Sequence, residues 1–160
     1  VSKDGGGKRT GARTPMQWSS AKNLGFSTAS AEKLYLPVDT AKDAPNVATQ
    51  EADANSLLNK TRKFIELRHT EPALANYAEF VPLFAKENTY PFIYARANNN
   101  DVVLVMLNPS GNNVEASFET STDFSSTKVL AGDTLNIEHN GNTVSVSMPG
   151  QSYSIVKLIR

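Results

Sequence analysis

No cysteine occurs in the 160 residues, which removes disulfides, thiolate metal sites and cysteine nucleophiles together and leaves the compartment unread. Histidine is scarce as well. His69 and His139 stand seventy residues apart with no second nitrogen ligand near either in sequence, so no metal site is expected. Net charge is also missing: sixteen Lys and Arg balance sixteen Asp and Glu. Binding to nucleic acid or to a membrane surface draws on a basic excess, so neither is an expected partner. No apolar run approaches the roughly 20 residues that cross a bilayer, and residues 1–7 lack the apolar core of a signal peptide. The chain opens on Val1 inside a polar, glycine-rich stretch, as a piece of something longer would.

Motifs of catalysis are equally sparse. Residues 4–11 are glycine-rich and basic but lack the spacing that wraps backbone amides round a phosphate. There is no G-x-S-x-G elbow, no H-E-x-x-H helix and no Asp-rich calcium loop. Asn59, Lys60 and Thr61 form a glycosylation sequon, but it falls within an expected helix. The acidic residues of the second half sit on wet strand faces or in turns, and no two of them pair. No catalytic residue, metal ligand or cofactor follows from the residues alone.

What the chain does have is enough apolar content, 39%, for a core, and a length that fits one domain or a small domain with an appendage. Its character changes near residue 72. Up to Thr70 basic residues outnumber acidic ones by four, and beyond it the surplus is reversed. Residues 1–51 carry no sustained period, and loops that long usually belong to a larger supporting body. One helix is expected over 53–69, where Leu57, Leu58, Thr61, Phe64, Ile65 and Arg68 mark a stripe that must bury against something. Asp53 or Asn55 can cap its start and Pro72 prevents continuation, while Lys60, Arg62, Lys63 and Glu66 read as the solvated face.

After Pro72 the period drops to two. Runs rich in β-branched and aromatic residues recur at 79–85, 92–97, 102–108, 113–119, 127–130, 134–138, 143–148 and 153–159, separated by Asn, Asp, Gly and Pro. Eight such strands predict an antiparallel sandwich or barrel. The strand at 102–107 is apolar at every position and should be central, covered on both sides. Tyr90, Phe92 and Tyr94 are spaced by two, as a core-facing stripe or as an exposed aromatic pair for sugar.

One stretch is far more specific: Ala12, Arg13, Thr14, Pro15, Met16, Gln17 and Trp18, then Gly25, Phe26 and Ser27, then Leu36, Pro37 and Val38. Asn46, Val47 and Gln50, the run 56–59 and the run 67–74 follow in order. This pattern resembles the α-amylase superfamily, glycoside hydrolase family 13, in the branch of oligo-1,6-glucosidases, α-glucosidases and trehalose synthases. The resemblance implies a mainly β chain: an eight-stranded antiparallel β-sandwich of Greek-key, domain C type, preceded by an irregular loop and one helix from the end of a (β/α)8 barrel. Residues 1–76 would be the barrel remnant and 77–160 domain C. Partners would be an α-glucosidic oligosaccharide and the rest of the barrel. The family's three carboxylates lie upstream of Val1, so none is carried into this chain and it should be inactive alone. Arg9 matches the family's arginine near the sugar on the leaving-group side of the cleft and is the expected substrate-binding residue. Arg13 and Trp18 would support the loop, the first by hydrogen-bonding carbonyls and the second by packing. Ser19 replaces the family's aspartate and Tyr35 its tryptophan. The alternative is a non-catalytic carbohydrate-binding sandwich, and a further one a free-standing interaction domain.

Overall fold

The computed structural model describes residues 13–160, which fall into two units, one ending at Phe64 and the other comprising Ile65–Arg160. In the first, 3₁₀ turns at Lys22–Gly25 and Ala31–Lys33 precede helix α1 (Val47–Ala52) and the start of helix α2 (Leu57–Thr70). Two helices therefore replace the one expected. The six residues of α1 are too few to show a period, and a cap accounts for their helicity: Asn46 Oδ1 accepts from the Thr49 N–H at 3.0 Å. The cap of α2 is also different from expectation. Ser56 Oγ accepts from the Asn59 N–H at 3.2 Å, whereas Asp53 Oδ1 closes a local turn onto the Asn55 N–H at 2.8 Å. The helix stops at Thr70, just before Pro72.

No residue of α2 is buried. Leu57 is 76% exposed and Ile65 54%, so the apolar stripe finds no core among the described residues. Lys60, Arg62, Lys63 and Glu66 are exposed as expected, and Arg62 pairs with Glu51 at 2.9 Å.

The second unit holds eight strands: β1 (Glu79–Phe84), β2 (Phe92–Ala97), β3 (Val102–Asn108), β4 (Val114–Glu119), β5 (Ser126–Gly132), β6 (Ile137–Asn140), β7 (Thr143–Met148) and β8 (Ser152–Ile159). They form a five-stranded sheet in the order β1-β2-β3-β8-β5 and a three-stranded sheet in the order β4-β7-β6. All pairings are antiparallel. The chain changes sheet after β3, β4, β5 and β7, which is the long-range return of a Greek key rather than a meander. Strand β6 lies later than expected because its turn is Gly141 and Asn142, with Asn140 facing Thr143; Gly141 takes the positive φ, 58°, that a two-residue hairpin requires.

Between the sheets, Ile93, Leu104, Met106, Phe118, Val144, Val146, Met148, Val156 and Leu158 make the main core. Alternation explains this set. In β4, Ala116 and Phe118 turn inward while Glu115, Ser117 and Glu119 face water. Strand β3 is the exception, buried on both faces as its unbroken apolar run implies. Its Val103 and Val105 point away from the main core into a second cluster with Ala73, which the 3₁₀ turn Pro72–Leu74 lays over the sheet. Asn108, fully buried at the end of β3, donates to Asn112 O at 2.9 Å and to Pro149 O, and accepts from Ser110 Oγ at 2.7 Å. It thereby pins the β3–β4 turn to the β7–β8 turn.

The aromatic triplet corrects one expectation. Ile93 and Ala95 face the main core, so Phe92 and Tyr94 lie on the other side of β2. Tyr94 packs on the second cluster and meets Phe80 and Phe92 at centroid distances of 4.8 and 5.3 Å. Tyr90 is 48% exposed and precedes Pro91 across a cis bond.

Candidate functional site

The specific heptapeptide lies in the first unit, and its last two residues are held by their backbone. The Trp18 N–H donates to Leu24 O at 2.8 Å and the Ser19 N–H to the same oxygen at 3.1 Å, closing a tight reversal. Three consecutive left-handed residues build that reversal: Asn23 (φ 51°), Leu24 (φ 56°) and Gly25 (φ 73°). Asn23 stabilises it by donating its amide to Ser27 O at 2.9 Å and Ala29 O at 2.8 Å. Gly25 is demanded twice, by its φ and by space, since a Cβ there would sit 2.7 Å from Ser19 Oγ and 3.2 Å from Trp18 Cβ. Ser19, in the position of the family's aspartate, thus lies under Gly25 and caps the Ala21 N–H at 3.3 Å.

Helix α1 docks on this loop end-on. The Val47 N–H donates to Gln17 O at 2.9 Å and the Ala48 N–H to Trp18 O at 3.0 Å, so two of the donors that a helix start leaves unpaired are satisfied by the heptapeptide. Beside this joint a cleft of about 200 Å³ is lined by Pro15, Met16, Gln17, Pro45, Val47 and Gln50 among others, and Gln17 Oε1 is buried without a partner among the described residues. The far end of α1 is clamped to α2. Asn59 Nδ2 donates to Gln50 O at 2.9 Å, Glu51 O at 3.2 Å and Asp53 O at 2.8 Å. Gln50 Oε1 accepts from the Leu58 N–H at 3.0 Å and Ser56 Oγ donates to Gln50 O at 2.6 Å. An asparagine so engaged is no acceptor for a glycan.

Arg9, the expected sugar-binding residue, lies outside the described residues. Arg13 is exposed and makes no hydrogen bond among the described residues. Trp18 is 51% exposed; it supports the loop through its N–H and carbonyl rather than by burying its ring. Sequence reasoning gave none of Asn23, Gly25 and Asn59 its structural role; Gly25 stood out in the Gly-Phe-Ser phrase and Asn59 in the run 56–59 and the sequon, whereas Asn23 carried no signal.

Acid–base chemistry is not assembled here. The Glu32 carboxyl is held below its usual range by a hydrogen bond from Ser30, but it is fully exposed. Lys157 is pushed up, first by its hydrogen bond to Asp101, and lies in β8. No group of three ligating side chains gathers among the described residues, and no described helix is long and apolar enough to cross a membrane. A hollow of about 670 Å³ opens beside residues 121–125 and Arg160 in the sandwich; with Asp123 as the one acidic side chain in its lining, it has no catalytic pair.

Residues 2–77 match the sequence model of the alpha amylase catalytic domain. The trehalose synthase/amylase of Mycobacterium tuberculosis is 44% identical over 73 residues, covering 43% of this chain and 12% of that protein. The oligo-1,6-glucosidase of Heyndrickxia coagulans is 31% identical over 137 residues, covering 84% of this chain and 22% of that protein. The crystal structure of isomaltulose synthase from Erwinia rhapontici superposes with a TM-score of 0.70 at 28% identity, over 92% of this chain and 25% of that one. The chain therefore spans about a quarter or less of the length of these relatives. Sequence, order of motifs and sandwich topology agree: the chain belongs to the alpha-amylase family, glycoside hydrolase family 13.

Proposed function

We propose that the chain is the C-terminal part of a retaining glycosidase that cleaves or transfers α-glucosides, with residues 1–76 ending the catalytic (β/α)8 barrel and residues 77–160 forming domain C. Its own contribution is to pack the barrel and to shape the sugar cleft, the catalytic carboxylates lying elsewhere in the protein. The observation that carries this reading is α2. A helix with Leu57, Phe64 and Ile65 exposed at 76%, 39% and 54% needs an apolar neighbour, and a preceding barrel helix or strand would supply it. The ordered loop of Gln17 and Trp18 would then border the cleft at the C-terminal ends of the strands, where such barrels bind substrate. Arg9, four residues before Arg13, is proposed to donate two directed hydrogen bonds to sugar hydroxyls.

A hybrid tests this. When the matching segment of the Heyndrickxia coagulans oligo-1,6-glucosidase is replaced by this chain, the product is expected to cleave p-nitrophenyl α-glucoside, whereas the 160-residue chain alone gives no turnover above buffer. Turnover by the chain alone, or a hybrid that folds with an intact melt yet stays inert, would rule the reading out.

The carbohydrate-binding alternative needs a flat, exposed aromatic platform. Phe80 and Phe92 are each tilted by 38° to Tyr94, and Tyr94 leans on the second cluster. Calorimetric titration of the chain with maltoheptaose is accordingly expected to give no binding heat; a sub-millimolar Kd would favour the binding module.

A further inference from the structure

Helix α1 is too short to be stable by itself, yet it is fastened at both ends. Its first two N–H groups are taken by Gln17 O and Trp18 O. Its last carbonyls, Gln50 O and Glu51 O, are taken by the Asn59 amide, which reaches back from the first turn of α2 and also holds Asp53 O. One amide thus shares its two N–H groups among three carbonyls at a helix end and the following turn, and Ser56 Oγ supports it at Gln50 O. The path from α2 to the loop has a hydrogen bond at each joint and a rigid element between them.

We propose that Asn59 is a positioning residue for substrate. Acting through α1, it fixes where Gln17 and Trp18 stand, and so the shape of the loop that borders the cleft. This rests on the proposed function, because only in the assembled enzyme does the loop meet sugar. Two variants cut the path at different joints. Asn59→Leu keeps the bulk and removes both N–H donors of the amide, and with them its three contacts. Val47→Pro removes the N–H that reaches Gln17 O, exchanges one apolar cleft side chain for another and leaves the Asn59 amide in place: proline is favoured at the first helical position, and Asn46 before it is already extended at φ −136°, ψ 159°.

The test uses the full-length protein that carries this segment. Hydrogen exchange measured by mass spectrometry is expected to quicken about tenfold or more across 17–26 and 47–52 in both variants, with 102–108 unchanged. The KM for p-nitrophenyl α-glucoside should rise about tenfold, with kcat within about twofold and the ratio of hydrolysis to transfer shifted. A purely structural role would lower thermal stability and leave KM and that ratio alone. Unchanged exchange over 17–26 in both variants would overturn the proposal, and so would faster exchange with KM and product ratio unmoved. If Asn59→Leu fails to fold, Val47→Pro decides alone. A wild-type protein with no action on any α-glucoside would defeat the proposed function instead, and the exchange data would still report on the Asn59 clamp.

Discussion

Leu104→Ala lowers the thermal midpoint of the sandwich by about 15 °C, the larger of the stability effects foreseen for this chain. Leu104 has no exposed surface and stands in the middle of β3, paired with Ala95 on one side and Val156 on the other. Its side chain enters the layer between the sheets with Met106, Phe118, Val144 and Val156. Removing a buried leucine beyond Cβ forfeits its transfer free energy and opens a void that two hydrogen-bonded sheets cannot close, about 3 kcal/mol together. In a unit of this size each kcal/mol moves the midpoint by roughly 4–8 °C. Val129→Ala supplies the contrast. Val129 is 37% exposed on β5, and its loss should stay within about 0.5 kcal/mol. Circular-dichroism melts of the two variants and the parent chain decide the matter; a Leu104→Ala midpoint within a few degrees of the parent would mean that the core between the sheets is not the source of stability.

The same layer shows why the β half was legible in sequence. Val114, Ala116 and Phe118 alternate with two glutamates and a serine, and only the period-two reading puts the apolar set on one face. Asn, Gly and Pro stand where the chain reverses, so strand number and most boundaries followed. Limits appear where structure depends on distant partners. Helix α1 depends, beyond its local Asn46 cap, on carbonyls thirty residues earlier that accept its first N–H groups, and nothing within Val47–Ala52 announces that. Ser56 rather than Asp53 caps α2 because Asp53 is already turned onto Asn55. Phe92 and Tyr94 read equally well as inward or outward, since period two assigns a face but not which one is the core. The loop was recognised by its heptapeptide, but its shape was not. It turns on Leu24 in the left-handed region, a conformation that no propensity assigns to leucine.

The polar joint in the second unit yields the other large effect. Lys157 Nζ lies 3.0 Å from Glu71 Oε1 and 2.9 Å from Asp101 Oδ1. Glu71, buried at 8% exposure, ends the turn out of α2, while Asp101 leads into β3, so one ammonium ties the strap bearing Ala73 to two central strands. Lys157→Met leaves the Glu71 carboxylate with little water and no counter-charge, a loss of about 2 kcal/mol after allowing for the partial exposure of all three side chains. Lys128, opposite Lys157 on β5, gains slight relief from the same change, which does not offset it. Pairing Lys157→Met with Glu71→Leu should recover most of the loss, because the stranded charge goes with its partner. The pH dependence follows from the direction of the shift. The hydrogen bond to Asp101, and after it that to Glu71, hold the ammonium, so its pKa is higher in the fold than in the unfolded chain. That contribution is complete below the unfolded value of about 10.4 and is lost as pH rises through the folded one. In urea titrations the gap between wild type and Lys157→Met should therefore stay level from about pH 7 to 9 and narrow above about 10.5. A gap that closed toward neutral pH, or that never opened, would show that the ammonium does not hold this joint.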